Sequence, residues 1–522
     1  MRFFKKEISG KFTIPSGILT TEVSVLEKVA KEIPEIGILT TKSIGIEKRE
    51  GNREPILVNF APLSFLNAVG LANPGVFEFK EQISKIKLPK NKFLLVSIFG
   101  KDEKEFFKVA KELSQFADGF ELNLSCPHSQ KYGQIVGQDF DLVWKIVKKV
   151  KTLKKPVLVK VSPNIDYLKM AKVSLKAGAD GIVAINTLGP GTYLKDGFFV
   201  LSNKFGGVSG RAILPIGLKV VSEIRKLGNF PIVACGGISC AKDIINYEKA
   251  GANFFGIGSA LFKMDFETLK RYFRTLNEDL KNGTNFAEKF LKVKVEDYQR
   301  FKVKKKIFFE KDLFLLELEG KIKALPGQFV FLWLPEIGEK PFSVFENSPP
   351  IFLIRKVGYF TEKLSKVKEG KNIYLRGAYG KELNLKGKIL LCGGGTGIAS
   401  LFLFAKNFKN SVIISAKEKP FLKFLKSKFK KFSDKVYAKE FFEKREAEEI
   451  IKKEKPDFIL TCGPRGFVEM IIEAGKKFLK REKIYFSLDF VTKCGVGLCG
   501  SCATQKGLRA CVDGPFLKET EF

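Results

Sequence analysis

Phe120-Glu121-Leu122-Asn123-Leu124-Ser125-Cys126-Pro127-His128 alternates apolar and polar residues and then breaks. Phe120, Leu122 and Leu124 recur at the period of a short buried strand, and Pro127 biases the residue before it out of helix. A strand end therefore delivers Asn123, Ser125, Cys126 and His128 into one loop. A free cysteine is commonly a small buried hydrophobe, but this one has Asn, Ser and His within three positions. A thiol at a polar strand end can act as an acid or base if its pKa, about 8.5 in isolation, is moved toward neutrality. His128 is the single histidine of the chain, so the usual proton-transfer residue is scarce and Cys126 gains weight as a candidate.

The same unit recurs through the first half. Apolar runs that close on a polar residue or glycine occur at Thr13 to Gly17, Ile36 to Thr40, Leu94 to Ile98, Phe120 to Leu124, Pro156 to Lys160, Gly181 to Ile185, Pro231 to Cys235 and Phe254 to Gly258. Amphipathic stretches such as Glu103 to Phe116 and Phe140 to Leu153 lie between them. Strands alternating with helices in this number predict a (β/α)8 TIM barrel, a fold that keeps its chemistry at the C-terminal strand ends. The loops after strands seven and eight of such barrels commonly bind phosphate. Here they read Cys235-Gly236-Gly237-Ile238 and Gly256-Ile257-Gly258-Ser259, where bare backbone N–H groups can close on an anion.

Further segments extend the pattern: Thr41-Lys42-Ser43, Asn67-Ala68-Val69-Gly70, Val159-Lys160-Val161-Ser162-Pro163-Asn164, Ala184-Ile185-Asn186-Thr187 and Gly206-Gly207-Val208-Ser209-Gly210. Together with Asn123 to Pro127 they resemble the class 1 dihydroorotate dehydrogenases, FMN enzymes of pyrimidine synthesis. The resemblance implies that Cys126 is the catalytic base and that Lys42, Asn67, Asn123, His128, Asn186 and Thr187 surround the substrate. It also implies that Ser16, Gly17, Lys42, Lys160, Gly207, Gly236, Gly237, Gly258 and Ser259 hold FMN. A planar, amide-rich pyrimidine suits several Asn side chains, each able to donate and accept. One position departs from the family: His128 stands where Asn is usual. Dihydropyrimidine dehydrogenase, a relative acting on uracil and thymine, carries the same Ser-Cys-Pro-His, so reduction of those bases is the alternative activity.

The barrel pattern stops near residue 290, where charged sequence leads into new strands such as Leu313 to Leu318. Gly327-Gln328-Phe329-Val330, Lys340-Pro341-Phe342-Ser343, Gly358-Tyr359-Phe360-Thr361 and Gly377-Ala378-Tyr379-Gly380 resemble the flavin barrel of the ferredoxin reductase family. That resemblance implies FAD held by Lys340, Pro341, Phe342, Ser343, Gly358 and Thr361, with Lys340 in the place of the family's Arg; it keeps the charge and loses the fork. Next, a strand runs into Gly393-Gly394-Gly395-Thr396-Gly397, and a second into Cys462-Gly463-Pro464. The pair reads as a nucleotide-binding α/β lobe and resembles the reductase family's NAD lobe, although no acidic residue stands clearly at the ribose position, where Ser415 and Glu418 are found.

Cys494, Cys499, Cys502 and Cys511 are spaced C-x4-C-x2-C-x8-C, whose first three positions match plant-type [2Fe–2S] ferredoxins. Gly495, Gly497 and Gly500 free the loop to wrap a cluster, while a four-thiolate zinc site is the alternative. From 298 onward the chain resembles the electron-transfer subunit of class 1B dihydroorotate dehydrogenase, a part that this family usually keeps on a separate chain. The expected domains are a TIM barrel over 1–290, an FAD β-barrel over 298–384, an NAD lobe over 385–482 and a cluster segment over 483–522.

At 522 residues the chain exceeds one ordinary domain of about 150 residues. Ninety-one Lys and Arg against 57 Asp and Glu give a net charge of +34. A polyanion partner is one reading, and a nucleic-acid-binding protein with a zinc tail is the function class it would imply. The lysines, however, are scattered between apolar residues at helical or strand spacing, as solvated faces are, so no nucleic acid is expected. The N-terminus lacks an apolar signal core, and the apolar run Ile389 to Ala405 contains four glycines. A cytoplasmic enzyme off the membrane is expected. It would oxidise dihydroorotate to orotate, passing electrons through FMN, the cluster and FAD to NAD+, with homodimerisation through the barrel implied by the resemblance.

Overall fold

The computed structural model describes residues 1–124 and 134–521, without the side chains of 134 and 135. It divides into two units, Met1–Glu296 with Val496–Ala503, and Asp297–Gly495 with Thr504–Phe522.

In the first unit, eight parallel strands close into a barrel in chain order. They are β1 (Phe12–Ile14), β2 (Ile36–Thr40), β3 (Phe93–Ile98), β4 (Gly119–Asn123), β5 (Val157–Val161), β6 (Gly181–Ala184), β7 (Ile232–Cys235) and β8 (Phe254–Gly256). Each expected strand is present, with ends moved by at most three residues, and the expected helices run Glu103–Leu113 and Phe140–Lys151. Both helices open on an aspartate whose side chain accepts backbone N–H groups, Asp102 from residues 104 and 105 and Asp139 from residue 142. Such caps satisfy donors that the first turn leaves over.

Along each strand alternate residues face the interior, and the interior changes character from one end to the other. At the N-terminal end it is apolar. A hairpin of Arg2–Phe3 and Lys6–Glu7 places Phe3 against Phe93 and Phe254, with ring centroids 4.7 and 4.6 Å away. Ile38, Leu95, Leu158, Val183 and Val233 complete that layer. Two residues further along come Thr40, Ser97, Glu121, Lys160 and Cys235, all buried. This polar floor lies under the C-terminal mouth. Beside it a small antiparallel sheet pairs Ser64–Asn67 with Gly206–Gly210, bringing Asn67 opposite Gly207.

The second unit begins with a seven-stranded antiparallel sheet. It comprises β9 (Gln299–Glu310), β10 (Leu313–Leu318), β11 (Phe329–Leu334), β12 (Gly338–Ser343), β13 (Glu346–Asn347), β14 (Pro350–Arg355) and β15 (Asn372–Tyr379). The first residues of β9 pair with β15 and the rest with β10. The sheet thereby curls around one apolar core that includes Val303, Leu316, Val330, Leu332, Ile354 and Leu375.

A six-stranded sheet follows, built from β16 (Ile389–Gly394), β17 (Asn410–Ser415), β18 (Val436–Lys439), β19 (Phe458–Cys462), β20 (Ile484–Ser487) and β21 (Leu517–Lys518). Its order is β18-β17-β16-β19-β20-β21, parallel except for β21. The order reverses between β16 and β19. In open α/β sheets a ligand crevice forms outside the strand ends at such a reversal. No helix among the described residues is long and apolar enough to cross a membrane.

Candidate active site

Period-two alternation puts Glu121 and Asn123 on the inner face of β4, and neighbouring strands supply their partners. Ser97 on β3 donates to Glu121 at 2.7 Å and shares a 2.9 Å hydrogen bond with Ser43. Asn123 donates to Ser43 Oγ at 2.9 Å. Asn186, after β6, reaches Asn123 Oδ1 at 3.4 Å, and its own Oδ1 accepts the N–H of Thr187 at 2.9 Å. On the other side Lys160 lies 3.8 Å from Glu121 and donates to Ser16 Oγ at 3.1 Å. One polar chain thus runs from Ser16, after β1, to Thr187, after β6. Buried polar groups persist only when bonded in this way.

Lys42 is buried in the loop after β2. Its Nζ lies 3.8 Å from the place a Cβ would take on Gly17, a residue at φ +89°. Asn67 donates to the Gly207 carbonyl at 3.0 Å and to Ser209 at 3.4 Å. Cys126 and His128, the expected base and its neighbour, lie outside the described residues.

Gly236 and Gly237, after β7, have φ of +124° and +79°, and a Cβ on Gly237 would meet Leu214 Cβ at 2.8 Å and Gly210 O at 2.9 Å. Only glycine fits there. Asp243 organises the same loop, accepting from Ser239 N, Cys240 N and Arg211 at 2.9, 3.2 and 2.6 Å. Gly258 precedes the short helical turn Ser259–Leu261 after β8. Bare backbone at adjacent strand ends is a fitting cradle for a phosphate. Cys235 beneath it stays a thiol, since burial pushes it up to about 12.

In the second unit, Pro341, Phe342 and Ser343 of β12 line a cleft with Gln328, Phe329, Ser487, Asp489, Phe490 and Thr492. A cleft that sets the Phe329, Phe342 and Phe490 side chains among several polar groups suits a flat cofactor with polar edges. Lys340 precedes it and is exposed. Gly358 caps the helix Tyr359–Lys366, and Thr361 Oγ1 accepts the N–H groups of Val357 and Gly358 at 3.0 and 3.2 Å.

The glycine string Gly393 to Gly397 finishes β16, and Cys462-Gly463-Pro464 finishes β19. A Cβ on Gly397 would come within 2.7 Å of Gly463 Cα, and one on Gly463 within 2.9 Å of Gly394 Cα. The two loops touch backbone to backbone at the order reversal. Cys462 is held by the Ser400 and Ser487 hydroxyls, and burial raises its pKa. Glu418 is engaged by Arg355 at 2.5 Å, and Ser415 donates to the Glu440 carbonyl at 3.0 Å.

Cys494, Cys499, Cys502 and Cys511 are all buried thiols, a donor set that suits an iron–sulfur cluster. Among the described residues, no group of three or more His, Cys, Asp or Glu is gathered as a single-ion shell. Cys499 and Cys502 belong to the first unit, Cys494 and Cys511 to the second. Within the first unit, Leu19 N donates to Leu498 O at 2.7 Å and Thr21 Oγ1 to Cys499 O at 2.6 Å. Gly500 has φ +75°, and a Cβ there would sit 2.3 Å from Leu19 O. The Cys494 carbonyl accepts from Arg376 at 3.0 Å.

Sequence reading did not single out Ser43, Ser97 and Glu121 as site residues, nor Asp243 and Arg376. Glu121 had a usable signal: an acid two positions before Asn123 on an otherwise apolar strand shares its inward face.

Residues 1–280 match the family model described as dihydroorotate dehydrogenase. Residues 491–522 match the iron–sulfur cluster binding domain of dihydroorotate dehydrogenase B. The catalytic subunit of dihydroorotate dehydrogenase B (NAD(+)) from Methanocaldococcus jannaschii is 40% identical over 271 residues, covering 51% of this chain and 88% of its own. The Archaeoglobus fulgidus catalytic subunit of the same description is 40% identical over 274 residues, 51% and 87% of the two chains. A solved NADH-dependent reduced ferredoxin–NADP oxidoreductase aligns with a TM-score of 0.39 and 26% identity, over 42% of this chain and 88% of its own.

Proposed function

We propose, since the chain belongs to the dihydroorotate dehydrogenase family, that it oxidises dihydroorotate to orotate in pyrimidine synthesis and delivers the electrons to NAD+. The observation that carries this reading is the asparagine set at the barrel mouth. Asn123 and Asn186 are tied to one another and Asn67 is fixed on the small sheet, so their amides are pre-oriented donors and acceptors for a ring that alternates N–H and C=O. Lys42, buried beside Gly17, supplies a cation for the substrate carboxylate or the flavin, and Thr187 and His128 are assigned to the substrate by the family resemblance. Cys126 is assigned as the base that takes the proton from C5, the role the family resemblance gives it.

Ser16, Gly17, Lys42, Lys160, Gly207, Gly236, Gly237, Gly258 and Ser259 would hold FMN. Lys340, Pro341, Phe342, Ser343, Gly358 and Thr361 would hold FAD, and Gly393 to Gly397 with Cys462, Gly463 and Pro464 would hold NAD. Cys494, Cys499, Cys502 and Cys511 are the proposed thiolates of a [2Fe–2S] cluster. When bound, these groups supply hydride acceptance from C6, one-electron relay and hydride delivery to NAD+. The reading extends to a cytoplasmic enzyme that pairs through its barrel and acts on small molecules.

Anaerobic titration tests it. Dihydroorotate is expected to bleach the flavin absorbance, dihydrouracil to leave it, and extraction to yield FMN and FAD in equal amounts with iron and acid-labile sulfide. Cys126→Ala is expected to retain all three cofactors and lose bleaching by at least about a hundredfold, the usual scale of a general base. Bleaching by dihydrouracil alone, or an unchanged rate in the variant, would overturn the substrate or the base.

A further inference from the structure

Strand β15 reads Asn-Ile-Tyr-Leu-Arg-Gly-Ala-Tyr. Ile373 and Leu375 face the apolar core, so alternation turns Tyr374 and Arg376 to the opposite side. Arg376 is 5% exposed and its partner Glu339 1%. A buried ion pair is costly unless its remaining hydrogen-bonding groups are also matched, and here they are. Arg376 Nε and Nη2 meet the two Glu339 oxygens at 2.9 and 2.5 Å, and Glu339 Oε2 also accepts from Tyr298 at 2.8 Å. Nη1 points the other way, to Tyr379 OH at 3.0 Å and to the main-chain carbonyl of Cys494 at 3.0 Å.

Phe331 completes the arrangement. Its ring lies 4.1 Å from the Arg376 guanidinium carbon, and a Cβ on Gly495, at φ +77°, would meet the same ring at 2.6 Å. The peptide that carries the first cysteine of the tail is thus bonded by a cation and packed against the ring on which that cation stacks. The pair is also polarised, with its positive end toward Cys494 and its carboxylate on the far side.

We propose that Arg376 is a positioning residue for the [2Fe–2S] cluster, fixing the Cys494 ligand and raising the cluster's midpoint potential. This rests on the reading of Cys494 as a cluster thiolate. Reduction adds negative charge, and a buried cation with its donor aimed at a ligating residue favours the reduced form, as outer partners of metal ligands do.

The test is a potentiometric titration of the cluster's electron paramagnetic resonance signal in the full-length holoprotein. The double variant Arg376→Met with Glu339→Met removes the pair without stranding a charge. It is expected to keep the wild-type iron and sulfide content and to lower the midpoint by at least the tenfold equivalent of a one-electron couple, 59 mV. Arg376→Lys keeps the charge and loses the fork, so a smaller drop is expected from it. Tyr298→Phe, which loosens only the far side of Glu339, is expected to leave the midpoint in place. An iron-loaded double variant with the wild-type midpoint overturns the proposal. So does a wild-type midpoint in Arg376→Lys, or an equal drop in Tyr298→Phe. Wild-type protein without iron and sulfide would instead remove the cluster assignment.

Discussion

Lys92 is 2% exposed, at the N-terminal edge of β3. Its ammonium meets Ser9 Oγ at 3.0 Å and the carbonyls of residues 33, 34 and 36 at 3.0, 3.3 and 2.6 Å. It ties the start of β2 to the start of β3 at the end of the barrel away from the mouth, where fixed residues serve stability. Lys92→Met would leave those carbonyls without their donor. It is expected to cost about 3 kcal/mol of unfolding free energy in denaturant titration, with flavin content unchanged. Burial pushes Lys92 down to about 8 from its ordinary 10.5. Between those values the unfolded chain binds more protons than the folded one, so this group adds stability as pH rises from about 8 and adds no slope below it. The margin of wild type over Lys92→Met should therefore widen from pH 8 to pH 10; a constant margin would count against the shift. Nothing in the sequence separates Lys92 from the other basic residues, because its role comes from carbonyls nearly sixty positions away.

At the scale of elements, the barrel was legible because each strand is an apolar run closed by a polar residue or glycine. Strand ends moved by up to three residues because pairing across neighbours, not composition, decides where a ladder stops. Ser43, Ser97 and Glu121 escaped for a related reason: their meaning arises from register among β3, β4 and the loop after β2. The two loops of the α/β lobe were each visible as glycine strings, but their contact was not, since it depends on β16 and β19 being adjacent. That contact leaves no space at Gly463, whose φ is +154° and whose added Cβ would strike Gly394 backbone. Gly463→Ala is expected to weaken NADH-driven flavin reduction at least tenfold, read by stopped-flow absorbance, while dihydroorotate still bleaches the barrel flavin. Equal NADH kinetics would detach these loops from the nicotinamide.

For the whole molecule, the charge of +34 acts on substrate encounter even with the lysines dispersed. Both proposed substrates are anions, and a positive field concentrates anions at a mouth until salt screens it. The KM for dihydroorotate is expected to rise several-fold between about 10 mM and about 1 M salt, measured at fixed NAD+; a flat profile would leave the charge with no part in capture. Composition exposed the charge, and the cysteine spacing exposed the tail. What no spacing could expose is that an arginine on a distant strand bonds to the peptide of the first of those cysteines. That buried pair has a thermal consequence. Stripping water from ions becomes less unfavourable as temperature climbs, while the gain per unit of apolar burial levels off. A methionine pair that matches Arg376 and Glu339 near room temperature therefore falls behind them on heating, and a warm habitat would favour keeping the ions.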